Sequence, residues 1–387
     1  MAKLGDIFMI TSGGTPDKKN SAYYAKGTIP WVKTGDLKNQ YVPTGIECIT
    51  EEGLNNSSAK LFPPNTVLVA MYGATIGACS ILPYEASTNQ ACAAFLPNEN
   101  VLPTYLYYFL SSKKDQFIKD SVGGAQPNIS AGYLKNVQFN FIPMQQQINI
   151  VSTLDKVSEL IALRKEQLAK LDQLVKSQFI ELFGDPVQNT MEWETVLLKS
   201  ATSKIGSGAT PKGGKESYQT EGITLIRSMN VHDGRFEYKD LAHITDEQAK
   251  QLENVTVEEN DVFINITGAS VARSCIVPKH ILPARVNQHV AIIRCITSML
   301  NPVFANQMFL NTSFKGQLLD IGESGGATRQ AITKQQLETL TVILPPIDLQ
   351  QQFAAFVEQT DKSKLVIQQS LDKLELLKKS LMQQYFG

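Results

Sequence analysis

The sequence lacks any apolar run of the roughly 18 residues that a membrane-spanning helix requires. Its N-terminal stretch, MAKLGDIFMITSGG, is too polar for a secretory signal peptide. Cysteine is scarce, with 5 cysteines in 387 residues, and no two of them form a C-x-x-C pair. We therefore expect buried free thiols rather than a disulfide framework or a zinc site. These absences predict a cytoplasmic protein without a membrane partner.

The motifs of common enzymes are also missing. Neither glycine-rich stretch, GGTPDKKNS or GSGATPKGGKES, has the G-x-x-x-x-G-K-[ST] order that cradles a nucleotide phosphate. The 4 histidines all lie in the second half of the chain, without metal-ligand spacing. The stretch NPVF at Asn301 lacks the second proline of the adenine-methyltransferase loop, and we interpret it as the start of a helix. We expect no catalytic residue, no metal and no cofactor bound by this chain.

What the sequence does contain is a set of blocks that occur twice, in the same order, about half a chain apart. The pairs are SGGTP at Ser12 and SGATP at Ser207, IPWVKTGDL at Ile29 and ITLIRSMNV at Ile223, NTVLVAMYGATIGACSILP at Asn65 and NDVFINITGASVARSCIVP at Asn260, Asn89-Gln90 and Asn287-Gln288, and GGAQPNIS at Gly123 and GGATRQAIT at Gly325. Chance composition does not readily produce such an order, so the chain is predicted to be a tandem repeat.

Each repeat ends in a triple glutamine followed by a long helical pattern. LAKLDQLVKSQFIELFG (Leu168 to Gly184) and LDKLELLKKSLMQQYFG (Leu371 to Gly387) are identical at eight of seventeen positions. The repeating unit is then a globular segment of roughly 145 to 160 residues and a helix of about 38, a size that fits one domain with an appendage. The predicted division is a first domain at 1–143, a first helix at 144–184, a second domain at 185–345 and a second helix at 346–387.

Heptad rows run along both predicted helices and are typical of a coiled-coil seam. The rows are Leu154, Ile161, Leu168, Val175, Leu182 and Val157, Arg164, Leu171, Gln178 in the first helix, and Val357, Lys364, Leu371, Lys378, Tyr385 and Thr360, Ile367, Leu374, Leu381 in the second. A helix of this length, about 57 Å, exceeds the width of a single domain, so we expect the two helices to pair. Because the first helix leads into the second domain, the pair runs antiparallel with pseudo-twofold symmetry. The seam of the second helix is less regular, with additional apolar residues at Leu365 and Leu377, and this helix is expected to need a partner rather than water.

The globular halves are predicted to be α+β domains, because short β-rich runs such as VLVAMYG and DVFINITG alternate with turn residues and precede a helical stretch. The apolar parts of the two repeats are alike, whereas the polar loop residues differ. Each scaffold is therefore expected to recognise a different short target.

The loop residues are of types that make bidentate contacts with guanine and adenine edges. The candidates for DNA contact are Lys33, Thr34, Asp36, Tyr72, Thr75, Asn89, Gln90, Gln126 and Asn128 in the first domain, and Arg227, Ser228, Asn230, Ser270, Arg273, Asn287, Gln288 and Arg329 in the second. A net charge of −1 provides no general attraction to nucleic acid, so binding must depend on local clusters or on partners.

Taken together, SGGTP, IPWVKTGDL, GATIG, Asn89-Gln90, the GG…NIS run and the Phe-Gly helix ends resemble the specificity (S) subunit of type I restriction-modification systems. The resemblance covers the whole chain, twice over. It implies two target-recognition domains that read a bipartite site in double-stranded DNA, with the paired helices setting the gap. It also implies a noncatalytic chain that binds two methyltransferase (M) subunits, which use S-adenosylmethionine, and optionally restriction (R) subunits.

The duplicated helix ends are the candidates for docking of the M subunits. They are Gln145, Gln146, Gln147 and Phe183 in the first helix, and Gln350, Gln351, Gln352 and Phe386 in the second. Two alternatives to this function remain open. The chain could be a noncatalytic scaffold whose two domains bind peptides, or a fragment of a fused type IIG-like enzyme.

Overall fold

The computed structural model describes residues 2–123, 127–211, 213–323 and 330–387, and only the backbone of Lys215. Two predicted DNA-contact residues, Gln126 and Arg329, lie outside the described residues. The chain forms two compact units. Unit 1 is Met1–Lys165 with Gln369–Gly387, and unit 2 is Glu166–Gln368. Each unit therefore holds one globular half, the first part of its own long helix and the last part of the other long helix.

The first half of the chain alternates short strands and helices before its long helix. The elements are β1 (Ala2–Lys3), α1 (Leu4–Ile7), β2 (Ile10–Ser12), β3 (Ile29–Val32), β4 (Cys48–Ile49), α2 (Glu51–Asn55), β5 (Leu61–Phe62), β6 (Val67–Ala70), β7 (Cys79–Ile81), β8 (Ala86–Thr88), β9 (Cys92–Phe95), α3 (Pro103–Ser112), α4 (Lys114–Asp120), α5 (Ala131–Asn136), β10 (Gln138–Phe139) and α6 (Met144–Phe183).

The second half follows the same order with three differences: it has one additional hairpin, no counterpart of β5, and a 3₁₀ turn at Leu198–Ala201 where the first half has α1. Its elements are β11 (Thr195–Leu197), β12 (Thr202–Ser207), β13 (Ile223–Ile226), β14 (Val231–His232), β15 (Arg235–Phe236), β16 (Ala242–Ile244), α7 (Asp246–Gln251), β17 (Val262–Asn265), β18 (Ser274–Ile276), β19 (Ala284–Val286), β20 (Val290–Cys295), α8 (Pro302–Leu310), α9 (Thr312–Glu323), α10 (Lys334–Glu338), β21 (Thr341–Ile343) and α11 (Ile347–Phe386). The hairpin is β14 paired with β15.

Both units contain the same antiparallel four-stranded sheet, ordered β2-β9-β6-β7 in unit 1 and β12-β20-β17-β18 in unit 2. Beside it lies a smaller mixed sheet, β4-β3-β8-β5 in unit 1 and β16-β13-β19 in unit 2. In each smaller sheet the central strand has a parallel neighbour, β3 with β8 and β13 with β19. The matching topology confirms the predicted α+β tandem repeat.

The central strands are buried on both faces, which explains their continuous apolar sequences. In β6, Val67 and Val69 belong to one hydrophobic cluster, whereas Leu68 and Ala70 belong to another. Successive side chains of a strand point to opposite faces, so β6 separates two apolar layers. In unit 2, β17 separates two clusters in the same way.

Helix α8 begins where the NPVF stretch predicts a helix start. The side-chain Oδ1 of Asn301 accepts hydrogen bonds from the backbone nitrogens of Val303, at 2.8 Å, and Phe304, at 3.3 Å. Pro302 stands at the first helical position, where no intrahelical N–H bond is lost. This stretch therefore caps a helix.

The two long helices, α6 and α11, are each 40 residues long and confirm the predicted seam. Every residue of the four predicted heptad rows is buried or half-buried. The helices run antiparallel within each unit. In unit 1, Lys165 pairs with Glu375 at 2.8 Å, and Leu154, nearer the start of α6, shares a hydrophobic cluster with Phe386 at the end of α11. In unit 2, Asp172 pairs with Lys364 at 2.7 Å, and Phe183 at the end of α6 packs against Phe353 near the start of α11. No helix in the described part of the chain is long and apolar enough to cross a bilayer.

The sharp turn after β2 recurs after β12 because the chain passes very close to a neighbouring strand. A Cβ atom built on Gly13 would lie 2.0 Å from the carbonyl oxygen of Thr88, and one on Gly208 would lie 1.8 Å from that of Val286. Thr88 and Val286 are the last residues of β8 and β19. Only glycine allows this approach, so the repeated SGGTP and SGATP motifs hold the turn against the smaller sheet.

We predict that Gly208→Ala lowers the free energy of unfolding by about 1 to 3 kcal/mol, since the backbone must move to accept the methyl group. Gly206→Ala is the matched control, because a Cβ at that position in β12 meets nothing within 4 Å. The control should change stability by no more than about 0.5 kcal/mol. Urea denaturation of both variants decides the matter, and equal midpoints would contradict the close-approach explanation.

Candidate nucleic-acid interface

Most of the predicted contact residues lie on one edge of each unit, which we name the loop edge. In unit 1 it comprises residues 12–16, 33–36, 71–78 and 89–91, and in unit 2 residues 207–211, 227–230, 266–273 and 287–289. These segments follow β2, β3 and β6 and precede β9, or follow and precede their counterparts in unit 2. Strand pairing brings them together, because Ser12 lies opposite Ala93 while Ala70 lies opposite Cys92.

A threonine–glutamine hydrogen bond joins two of the repeated motifs in both units. The hydroxyl of Thr15 donates to Oε1 of Gln90, and the hydroxyl of Thr210 donates to Oε1 of Gln288 at 2.5 Å. Both glutamines are exposed. The turn motif therefore orients an exposed amide, and Thr15 and Thr210 are loop-edge residues that the candidate set omitted although they stand in the first repeated motif.

The asparagine before each glutamine shapes the loop. Asn89 Oδ1 accepts a hydrogen bond from the backbone nitrogen of Ala91 at 3.2 Å, and Asn287 Oδ1 accepts one from that of His289 at 3.0 Å. Asn287 is 4% exposed, which leaves its side chain no route to a ligand in this conformation. In each Asn-Gln pair, the asparagine therefore forms the turn and the glutamine is presented to solvent.

The loops after β3 and β13 place a basic residue at equivalent positions. The backbone nitrogen of Lys33 donates to Asp36 at 2.8 Å, and that of Arg227 donates to Asn230 at 3.1 Å. Asp36 and Asn230 therefore stabilise the 3₁₀ turns Thr34–Asp36 and Ser228–Asn230. The structure revises the predicted DNA contact of Asn230, because this side chain is fully buried and its Nδ2 donates to the carbonyl oxygen of Glu237 at 3.0 Å.

The two basic side chains are held by different partners. Lys33 Nζ lies 2.6 Å from Glu47, and this hydrogen bond raises the pKa of the lysine, which keeps it charged. The Arg227 guanidinium lies 5.4 Å from the ring centre of Tyr218 and donates to the carbonyl oxygen of Asp240. Both residues are partly exposed, as are Thr34 and Ser228 beside them.

The loop after β6 presents an aromatic side chain. Tyr72 is exposed and forms a backbone bridge with Asn128, and the hydroxyl of Thr75 donates to the carbonyl oxygen of Tyr72 at 3.1 Å. The backbone nitrogen of Gly73 donates to the carbonyl oxygen of Pro127 at 2.9 Å. The residues beginning at Pro127 therefore join the loop edge of unit 1.

The loop after β17 has the same backbone conformation as the loop after β6 but carries different side chains. Ala272 has a φ of 65°, where the equivalent Gly77 has 74°. The backbone nitrogen of Arg273 donates to the carbonyl oxygen of Ser270 at 3.2 Å. Within the described residues, the Arg273 guanidinium has no hydrogen-bond or ion-pair partner, and the residue is partly exposed, so the guanidinium is available to a ligand.

His289 is a loop-edge residue that the sequence did not single out. Its Nδ1 lies 2.5 Å from the hydroxyl of Thr267, and its Nε2 lies 3.1 Å from Nε2 of Gln288. The ring thereby connects the loop after β17 to the loop before β20. The signal in the sequence was its position directly after Asn287-Gln288, where the first repeat has Ala91.

The predicted docking residues at the helix starts divide into two groups. Gln147 and Gln350 are fully buried and make the same three hydrogen bonds. Gln147 accepts from the backbone nitrogen of Leu102 and donates to the carbonyl oxygens of Asn100 and Ile142, each at 2.9 Å. Gln350 accepts from Asn301 and donates to Met299 and Pro345, at 2.8, 3.0 and 2.7 Å. The structure revises their assignment, since each fixes the start of a long helix to its own unit.

The remaining glutamines are exposed but are not equivalent between the repeats. Helices α6 and α11 both span 40 residues, so Gln147 matches Gln350, and only this position is shared by the two triple-glutamine runs. Gln145 and Gln146 match Asp348 and Leu349. The apparent duplication of the runs therefore carries no argument for a duplicated partner.

The phenylalanines at the helix ends are also part of the fold. Phe183 packs in unit 2 with ring centres 4.7 Å from Phe304 and 5.4 Å from Phe353. Phe386 packs in unit 1 at 5.4 Å from Tyr105. Their burial revises the prediction that they lie at a subunit interface, because each anchors the end of a helix in the opposite unit from the one where that helix began.

Exposed apolar side chains do occur on the long helices, and some of them lie at equivalent positions of the two helices. Unit 1 exposes Leu160 and Leu163 on α6 with Leu376 and Leu377 on α11, and unit 2 exposes Leu174 and Ile180 on α6 with Leu365 and Val366 on α11. When the two 40-residue helices are aligned from their first residues, Leu163 matches Val366 and Leu174 matches Leu377. We name the pairs Leu163/Leu377 and Leu174/Val366 the apolar pairs of unit 1 and unit 2. Each unit presents one.

Metal-binding and reactive-thiol chemistry find no support in the described residues. They contain no group of three or more His, Cys, Asp or Glu side chains that could hold a metal ion. All five cysteines are free, and only Cys48 is not fully buried. Burial raises the pKa of Cys79 to about 12, so this thiol stays protonated.

Comparison with known protein families matches residues 1–173 and 191–376 to the type I restriction modification DNA specificity domain. The chain is 27% identical over 380 residues to the type I restriction enzyme MjaIX specificity subunit of Methanocaldococcus jannaschii, covering 92% of this chain and 85% of the relative. It is 28% identical over 198 residues to the EcoR124I/EcoR124II specificity subunit of Escherichia coli, covering 50% and 49%.

Two solved structures are similar over the whole chain. The S subunit of the type I restriction-modification system from M. genitalium has a TM-score of 0.58 at 14% identity, covering 100% of this chain and 95% of the other. A chain from the structural work on complex assembly and conformational transition of the type I R-M system has a TM-score of 0.62 at 18% identity, covering 100% and 96%. At these identities the likeness supports the fold.

Proposed function

This chain belongs to the type I restriction modification DNA specificity family, and we propose that each of its two units recognises one half of a bipartite DNA site through its loop edge. The observation that carries the proposal is the doubling of the loop edge. The Thr–Gln bond and the close glycine turn recur in both units, whereas the side chains presented on this frame differ. A repeated backbone arrangement that presents different side chains in each unit is suited to the recognition of two different short sequences.

The residues proposed to contact DNA are the candidates that are exposed or partly exposed and whose side chains do not form the turns of the loop edge. They are Lys33, Thr34, Tyr72, Thr75, Gln90 and Asn128 in unit 1, and Arg227, Ser228, Ser270, Arg273 and Gln288 in unit 2. Asp36, Asn89, Asn230 and Asn287 form the turns that hold them. Residues 1–143 and 185–345 are the proposed target-recognition domains, and 144–184 and 346–387 are the helices proposed to set the gap between the half-sites.

Arg273 provides a direct test, because its guanidinium is unpaired among the described residues and arginine pairs bidentately with guanine. Arg273→Ala should weaken DNA binding by about 1 to 3 kcal/mol and relax one base position. The measurement is methylation mapping in a host that expresses the complete system, together with mobility shifts of the purified complex. Arg235→Ala is the matched control, since this exposed arginine lies in the β14–β15 hairpin outside the loop edge. Relaxation in both halves of the site would contradict the assignment of one half to each unit.

The chain is further proposed to be the noncatalytic member of a cytoplasmic complex. Two M subunits with bound S-adenosylmethionine would supply the methylation chemistry, and restriction subunits would join them for cleavage. The apolar pairs support two copies of the M subunit, because an equivalent exposed pair occurs once in each unit. With a net charge of −1 on this chain, the partners would also contribute positive potential around the DNA.

A further inference from the structure

A groove of about 620 Å³ runs along β12 in unit 2, outside the loop edge for most of its length. Its walls are β12, the 3₁₀ turn Leu198–Ala201, the start of α10 and the residues just before Thr256. Among the lining side chains are Lys199, Lys204, Asn254, Lys334 and Glu338. The groove therefore combines three lysines with a single carboxylate.

Two of these lysines carry charge that the fold does not neutralise. Lys334 Nζ lies 3.5 Å from Glu338. The amines of Lys199 and Lys204 have no hydrogen-bond or ion-pair partner in the described part of the chain. Since the whole chain has a net charge of −1, this groove is a local positive region on a surface that is otherwise nearly balanced.

The equivalent surface of unit 1 is different. In unit 1 the position of Lys204 is occupied by Met9, which directly precedes β2. The Met9 side chain is 70% exposed. Ala131 is the first residue of α5, as Lys334 is of α10, and both follow a capping hydroxyl residue. Lys204 and Lys334 are thus not required by the repeated scaffold, which is consistent with a role that only unit 2 performs.

The position of the groove indicates what it binds. Strand β12 is at the edge of its sheet, and its last residue, Ser207, lines the groove and begins the SGATP turn of the loop edge. A DNA duplex whose bases meet the loop edge of unit 2 must carry its backbone past one flank of that edge. We propose that Lys199 and Lys204 bind backbone phosphates of the DNA that flanks the half-site read by unit 2.

The chemistry of the groove suits phosphate better than bases. Lysine presents a compact charge on a flexible stem, whereas base recognition favours the rigid fork of arginine. Phosphate contacts position a protein on DNA without adding sequence information. The lysines therefore act as positioning residues. The inference rests on the proposed DNA recognition by unit 2 and names a contact beyond the loop edge.

The test is the salt dependence of binding by the full chain in complex with its M subunit. The probe is a fluorescein-labelled random-sequence duplex, followed by sequencing of the fraction selected by the complex. Lys199→Gln/Lys204→Gln should lower the slope of log K against log salt by about 2, because each lost phosphate contact removes close to 0.9 from the slope. Between 50 and 200 mM salt, the loss of affinity should then be about 12-fold smaller than for the unchanged chain. The selected sequence motif should stay the same.

The control is Lys279→Gln/Lys250→Gln, which removes two exposed lysines of unit 2 that do not line the groove and should leave the slope unchanged. A double variant that binds DNA with an unaltered slope overturns the phosphate contact while leaving the proposed function intact. An altered motif would overturn it too, since the lysines would then read bases. Stronger competition by sodium phosphate than by sodium chloride of equal ionic strength would indicate a site for free phosphate instead. Failure of the unchanged complex to bind any duplex would overturn both the contact and the proposed function.

Discussion

Gln147→Leu is expected to lower the free energy of unfolding of unit 1 by about 3 to 6 kcal/mol. Leucine has a similar volume but cannot replace the three hydrogen bonds that the buried amide makes with Leu102, Asn100 and Ile142. A buried polar group left without a partner costs about 1 to 3 kcal/mol. Gln350→Leu should have the same effect on unit 2, because its amide makes the same three contacts.

The two tryptophans allow each unit to be followed separately. Trp31 is buried in unit 1 and Trp193 lies in unit 2, so a Trp193→Phe background leaves Trp31 of unit 1 as the remaining tryptophan reporter. Gln146→Leu in that background is the matched control, since Gln146 is exposed and should change stability by about 0.5 kcal/mol or less. Guanidinium denaturation with similar midpoints for the Gln146 and Gln147 variants would show that the buried amide does not fix the helix.

These glutamines also show where sequence comparison is limited. Two runs of three identical letters stand at the start of two equivalent helices, and alignment by letters makes all three positions equivalent. The helices instead match Gln147 to Gln350 alone. Glutamine is usually exposed, so nothing in the composition marks the one buried copy. Two of its three hydrogen bonds are made with the backbone of a distant loop, at Asn100 and Leu102 for Gln147, and no local sequence pattern contains that loop.

The loop edge was partly predictable for a similar reason. Glycine turns and polar tips are visible in the sequence, and they identified Gln90, Gln288 and Arg273. The sequence could not show that Asn230 turns inward, because its partners Glu237 and Lys239 belong to a hairpin region that the first repeat lacks. Periodic features were easier to predict from the sequence. The heptad rows follow from side-chain spacing within one helix, and all their members are at least half-buried.

Aspartates at the apolar pair of unit 1 are expected to remove one M subunit from the complex. The ion pair between Lys165 and Glu375 joins the two helices of this unit, and Leu163 and Leu377 each lie two residues from it in the same direction along the antiparallel pair. Both leucines are nearly half exposed, at 47% and 46%. Exposed apolar side chains on two paired helices are suited to packing against a partner, and burying an unpaired carboxylate there would cost several kcal/mol.

The variant Leu163→Asp/Leu377→Asp should therefore bind one M subunit by native mass spectrometry, and so should Leu174→Asp/Val366→Asp in unit 2. Their combination should bind none. Ala162→Asp/Gln384→Asp adds the same two charges at exposed positions of unit 1 outside the apolar pair and should retain two M subunits. Circular dichroism should show unchanged helix content in all four proteins, because the substituted side chains lie outside the heptad seam. If the unit 1 variant still carried two M subunits, the apolar pairs would not be the docking surfaces, and the argument for two partners from their repetition would fail.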